Sequence, residues 1–162
     1  MLIAMVLCSA LLQDQVDNPE YKGWKSFKPG STVTYKFNRE GSPQGGEQKI
    51  TLKSIDEQEA VIETDFVIAG KGAGKPTERK IPAKVAAAAG QGMKDGPEEE
   101  IEVAGKTLKC RTREFEKKLE SGKTMKVKYW GHEDIPGMAA KVETVFEGSA
   151  KMTMIAMQWE KK

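Results

Sequence analysis

Residues 98–113, EEEIEVAGKTLKCRTR from Glu98 to Arg113, read as a β-hairpin. Apolar side chains recur at every second position on both arms, the pattern of a strand pair with one buried face. Putting Gly105 and Lys106 at the centre of a two-residue turn, with glycine first as a type II′ turn prefers, sets the register. Ala104 then faces Thr107, Val103 faces Leu108 and Ile101 faces Cys110. On the other face Glu102 meets Lys109, Glu100 meets Arg111 and Glu98 meets Arg113. Apolar pairs gather on an inner face and opposite charges on an outer one, and a slip of one residue loses both alignments.

Strand patterns continue on both sides of this hairpin. Downstream, Phe115 and Leu119 fall out of phase with Leu108 and Cys110, which predicts a bulge near 112–114 and a bent sheet. A three-residue loop at 121–123 then sets Leu119 against Met125, Phe115 against Tyr129, Glu116 against Lys128 and Lys118 against Lys126. Residues 141–147 alternate around Val142, Thr144 and Phe146. Residues 151–159 are apolar on both faces, which predicts a strand that is central in the sheet or covered by the amino-terminal segment. Upstream, Val33, Tyr35 and Phe37 mark one strand, Ile50 and Leu52 a second, and Ile62, Thr64, Phe66 and Ile68 a third. Trp24 and Phe27, three apart, fit one helical turn or an irregular plug. The fold class that follows is mainly β: a curved antiparallel sheet or half-barrel of about eight or nine strands, with a short amino-terminal helical segment and a Gly/Pro-rich loop.

That loop is residues 70–97. It holds six glycines and three prolines with an Ala-rich patch at 86–89, so it predicts a flexible excursion with at most a short helix and a brief extended piece near 79–81. The remainder, residues 11–162, reads as a single β-rich domain, since a chain of roughly this length buries about two thirds of its unfolded surface. Residues 1–10 open a continuous apolar run, MLIAMVLCSALL, too short to span a bilayer and suited to the core of a signal peptide cut after Ala10. The expected location is therefore outside the cytoplasm, secreted or periplasmic, with no transmembrane segment. After that cut Cys110 is the sole thiol, a small buried hydrophobe of the inner face.

Charge narrows the function classes. With 26 basic and 24 acidic side chains and a formal charge of +2, no long-range field draws the chain to nucleic acid. Lys109, Arg111, Arg113, Lys126 and Lys128 form a local basic density that would hold an acidic polymer if it were unopposed, but the hairpin register sets glutamates against three of its members. Motifs for catalysis are sparse. The run GKGAGKP at 70–76 lacks the first glycine of a phosphate-binding loop, where Ala69 stands, and ends in Pro76 instead of Ser or Thr, so no nucleotide and no other cofactor is expected. His132, Glu133 and Asp134 are the one constellation for a hydrolase or metal-dependent enzyme, yet three adjacent residues do not converge on one ion without distortion. No metal ligand or catalytic residue is assigned from them, and the chain is read as a non-enzyme.

What remains is an aromatic and methionine surplus on the predicted inner face. Tyr35, Phe37, Phe66, Phe115, Met125, Tyr129, Phe146 and Met154 are the candidate lining of an apolar ligand site, because methionine adapts to irregular guests and aromatic rings supply area. Core packing is the competing role for the same side chains.

A resemblance adds to this reading. Gly105, Lys106, Cys110, Trp130, Pro136, Gly137 and Lys141, within AGKTLKC and WGHEDIPGMAAKVE, resemble a pattern in bacterial secreted β-rich proteins of unknown function. There a strand ends at Trp, a short loop carries Pro-Gly, and the next strand opens with Val or Ala and Lys. Some such families are similar to the half-barrel of periplasmic lipoprotein carriers, which implies a curved antiparallel sheet around an apolar cavity. The resemblance covers the last two fifths of the chain and brings no functional residue with it. The function expected is a non-catalytic, exported cell-envelope module for binding or scaffolding, its partner an apolar small molecule, a lipid or an envelope protein.

Overall fold

The computed structural model describes residues 15–42, 45–68, 71–72, 74–87 and 92–162. The expected signal peptide, with Cys8 in it, lies outside the described residues. The described residues form twelve strands and one helix in chain order: β1 (Gln15–Asp17), α1 (Pro19–Lys25), β2 (Thr32–Arg39), β3 (Gly46–Ile55), β4 (Glu59–Ile68), β5 (Lys71–Gly72), β6 (Thr77–Pro82), β7 (Lys84–Ala86), β8 (Met93–Val103), β9 (Lys106–Lys118), β10 (Thr124–Gly131), β11 (Ala139–Phe146) and β12 (Met152–Glu160). The main sheet is antiparallel throughout and runs β5-β4-β3-β2-β12-β11-β10-β9-β8, with β6 also pairing along β4. β1 and β7 form a separate two-stranded ribbon. The sheet does not close on itself, and bulges in β3, β8 and β12 coil it.

The alternation read in the sequence accounts for most of this. Val33 and Tyr35 of β2 are buried and Phe37 is half-buried, in phase. β12 sits between β2 and β11, the central place that its two apolar faces require. Residues 70–97 hold more strand than their glycines predict. β6 extends the brief piece expected near 79–81, and its Ile81 is fully buried against β4, opposite Ala60. β7 and the start of β8 fall in the same stretch.

Three registers differ from expectation. In the first hairpin Val103 faces Lys106, Ile101 faces Leu108, Glu100 faces Lys109, Glu98 faces Arg111 and Cys110 faces Glu99. The turn is centred on Ala104 and Gly105, both at positive φ, 52° and 72°. This is the type I′ geometry, in which glycine takes the second place. Because the shift is by two residues, the side chains that share a face within the hairpin stay together and only their partners change.

The second hairpin shifts in the same sense: Met125 faces Lys117, Val127 faces Phe115 and Lys126 faces Glu116. Leu119 to Lys123 form a wider loop closed by the Leu119 amide on the Lys123 carbonyl at 2.8 Å. The shift relieves the Lys118–Lys126 like-charge pair and gives Lys126 a carboxylate at 3.6 Å.

The bulge expected in β9 near 112–114 lies across from it, in β8. There Gly96 and Pro97 together oppose Thr112. Pro97 has no amide to give the ladder, and its carbonyl accepts the Thr112 hydroxyl at 2.6 Å.

Candidate functional site

Residues registered opposite one another share a face, so one face of the sheet can be followed from strand to strand. It carries Ile62 of β4, Ile50 of β3, Tyr35 of β2, Met154 of β12, Val142 of β11 and Tyr129 of β10. α1 lies over this face. Its start is set by Asn18, whose side-chain oxygen accepts the Glu20 amide at 3.0 Å, followed by Pro19 in the first turn. The Asn18 side chain also donates to the Pro82 carbonyl at 2.8 Å, which ties the helix to the end of β6. Tyr21 reaches the Asp56 carbonyl through its hydroxyl at 2.5 Å.

The far end of α1 is clamped to the loop 132–138. The Gly137 amide donates to the Gly23 carbonyl at 3.0 Å, and a Cβ on Gly23 would stand 2.8 Å from the Gly137 carbonyl oxygen. Gly137, at φ 78°, packs flat under the Trp24 ring. Helix and loop therefore touch backbone to backbone. The sheet below them is left with a cavity of about 620 Å³, within the usual range for small-molecule sites.

The cavity is two-sided in chemistry. Trp24, Tyr35, Ile50, Ile62, Val142 and Met154 make an apolar floor and wall, while Glu98, Lys109, Arg111, Arg113, His132 and Glu133 line the other side. Burial pushes the Tyr35 and Tyr129 hydroxyls well above the usual phenol range, so both stay un-ionised. Tyr129 donates to the Gly137 carbonyl at 3.3 Å.

Of the eight expected lining residues, Tyr35, Tyr129 and Met154 border the cavity. Phe37, Phe66, Phe115, Met125 and Phe146 share the face but lie along it outside the cavity. Phe37 caps Gly46, Phe115 stacks over Gly92, and Phe66 remains 38% exposed. The covering helix reaches only part of the face, so sharing a face does not place a residue under it.

The three cations were expected on the outer face and stand on the cavity side. β9 pairs with β10 without a break from Arg111 to Lys118, so alternation carries Phe115, Arg113, Arg111 and Lys109 on one face. Cys110 and Thr112 belong to the other, where they are buried with Val103 and Trp130. Phe115 was the available signal: with no bulge in β9, its inward phase brings the basic residues with it. Burial raises the Cys110 thiol above its ordinary pKa, which keeps it protonated and unreactive.

The basic density does not form one patch. Lys126 and Lys128 lie on the face opposite Lys109, Arg111 and Arg113, and pair with Glu116 at 3.6 Å and Glu99 at 2.8 Å. The His132 loop does not converge either. Asp134 is taken by Lys161, its backbone amide donates to His132 Nδ1 at 3.2 Å, and among the described residues no group of three His, Cys, Asp or Glu is placed to hold a metal ion. No helix of the described residues is long and apolar enough to cross a membrane.

No family model and no curated protein sequence matches the chain. Solved structures do. A protein of Bacteroides fragilis described as exported, with a YmcC-like fold, superposes with a TM-score of 0.56 at 9% identity, over 83% of this chain and 99% of that one. MucB in complex with MucA(peri) gives 0.52 at 10% identity over 89% of this chain, and the MucA/MucB complex of Pseudomonas aeruginosa gives 0.50 at 11% over 88%. The chain spans 56% and 54% of those two partners in the comparison. At such identities the likeness is one of fold.

Proposed function

We propose that this chain is a non-catalytic, exported binding module of the bacterial cell envelope that holds an apolar small molecule or lipid between α1 and the sheet. The observation that carries this reading is the 620 Å³ cavity floored by Tyr35, Ile50, Ile62, Val142 and Met154. A hollow of this size with an apolar floor and a few polar groups at its side is the ordinary form of a ligand site. The apolar run at residues 1–12 supports export. So does the fold, shared with a protein described as exported and with MucB.

A direct test is native mass spectrometry of the purified protein after incubation with an extract of envelope lipids. A discrete added mass that disappears in Met154→Trp, which fills the cavity, supports the reading. A protein that stays unliganded across the lipid classes overturns it.

A second reading, with an envelope protein as the occupant, is favoured by Phe66, Ile68 and Met152. They are 38%, 46% and 43% exposed on the same face, beyond the cover of α1. Cross-linking from position 152 in envelope preparations separates the two, since a lipid ligand leaves no protein adduct there.

A further inference from the structure

We propose that the ligand is an amphiphile with one anionic head, a phosphate or a carboxylate, seated on Arg111 at the mouth of the cavity with its chain over Tyr35 and Ile62. This inference rests on the cavity reading above and adds the chemistry of the head.

Three alternate residues of β9, Lys109, Arg111 and Arg113, point to the cavity side by side. Two of them are already engaged. Lys109 pairs with Glu98 at 2.8 Å, and Arg113 gives its Nε to Asp95 at 2.9 Å. Glu98 is the cross-strand neighbour of Arg111, but its carboxylate has turned to Lys109. Among the described residues Arg111 has no carboxylate within ion-pair distance. Its guanidinium offers a planar fork of donors beside an apolar floor, the geometry that binds phosphate or carboxylate bidentately.

The acids of the lining form no salt bridge with it. Glu20 is held by Arg79 and Glu98 by Lys109, while Glu133 stands exposed on the loop turn. A head group that enters beside Arg111 therefore meets one cation outside any salt bridge, flanked by two paired ones. An uncharged chain would fill the apolar side and leave that cation outside any salt bridge.

The test compares four probes on the intact protein by isothermal titration: dodecyl phosphate, dodecanoate, dodecanol and inorganic phosphate, in wild type and in Arg111→Gln. The proposal expects at least one of the two anionic amphiphiles to bind tenfold or more tighter than dodecanol. Which one does so tells phosphate from carboxylate. Arg111→Gln should erase that advantage, leave dodecanol binding unchanged and, as Arg111 is exposed, leave the melting temperature unchanged. Equal binding of the anionic probes and dodecanol in both proteins overturns the anionic head and leaves the cavity reading standing. Inorganic phosphate binding as tightly as dodecyl phosphate overturns the amphiphile. Failure of all three chain-bearing probes overturns the cavity reading itself.

Discussion

The indole nitrogen of Trp130 donates to the Glu99 carboxylate at 2.8 Å, reaching from β10 to β8 across the whole width of β9. The other oxygen of the same carboxylate accepts from Lys128 at 2.8 Å. The ammonium groups of Lys128 and Lys141 stand 4.8 and 4.6 Å from the centre of the Trp130 ring, close enough for cation–π attraction. One acid thus fixes the face of the sheet opposite the cavity, and keeps β8 docked where the cavity needs its Glu98 and Met93.

This has a pH signature. The hydrogen bonds from Lys128 and Trp130 hold the Glu99 carboxyl below its ordinary pKa. A group depressed on folding contributes stability above its unfolded pKa and loses it as pH falls through the folded value. Glu99→Gln should therefore lower the melting temperature at pH 7, and the gap to wild type should close on acidification below about pH 4.5, the ordinary range of a glutamate. A gap that is constant from pH 7 to pH 3 would show that the carboxylate's charge contributes nothing.

The hairpin turn makes a second prediction. Ala104 sits at φ 52°, where an alanine is disfavoured by roughly 1 kcal/mol or more relative to glycine or asparagine. Ala104→Asn creates the Asn-Gly pair that type I′ turns prefer, so it should raise stability by about 1 kcal/mol in urea denaturation. Were Gly105 and Lys106 the central pair, Ala104 would lie in the strand and the same change would destabilise.

That turn also shows how far the sequence can be read. Strand periodicity located β2, β3, β4 and β9 to β12, because burial of one face imposes a period of two that a single chain displays. Pairing partners are harder to read: a shift by two residues preserves every face, so hydrophobic pattern cannot choose between Gly105-Lys106 and Ala104-Gly105. Turn chemistry decides, and here it tolerates a strained alanine. β6 was nearly invisible because only Ile81 of its six residues is buried. The cavity was legible as a face but not as a place, since which of eight aromatic and methionine side chains lie under α1 depends on the Gly23–Gly137 contact, over a hundred residues apart in sequence.

Ile81 measures how firmly β6 belongs to the core. Its side chain is fully buried, so Ile81→Ala should cost about 2–5 kcal/mol, as large-to-small changes in packed cores do. A cost below about 0.5 kcal/mol, typical of surface positions, would mean that the 77–82 segment does not pack on β4.

The clamp between α1 and the 132–138 loop gives a fourth prediction. With a Gly137 oxygen 2.8 Å from the place of a Gly23 Cβ, Gly23→Ala must push the helix off the loop. Overpacking of this kind costs roughly 1–3 kcal/mol, even though alanine is the better helix former. Probe binding in the cavity should weaken with it. A more stable Gly23→Ala protein with unchanged binding would show that the helix does not shape the site.

Occupancy of the cavity is read most directly by tryptophan quenching. Trp24 is 2% exposed and borders the cavity, whereas Trp130 and Trp159 do not line it. Titration with a bromine-bearing fatty acid should quench the emission of wild type saturably. Trp24→Phe, which keeps a ring over Gly137, should bind the same ligand by calorimetry and lose the greater part of the quenching. Quenching that persists undiminished in Trp24→Phe would place the ligand elsewhere and contradict the account.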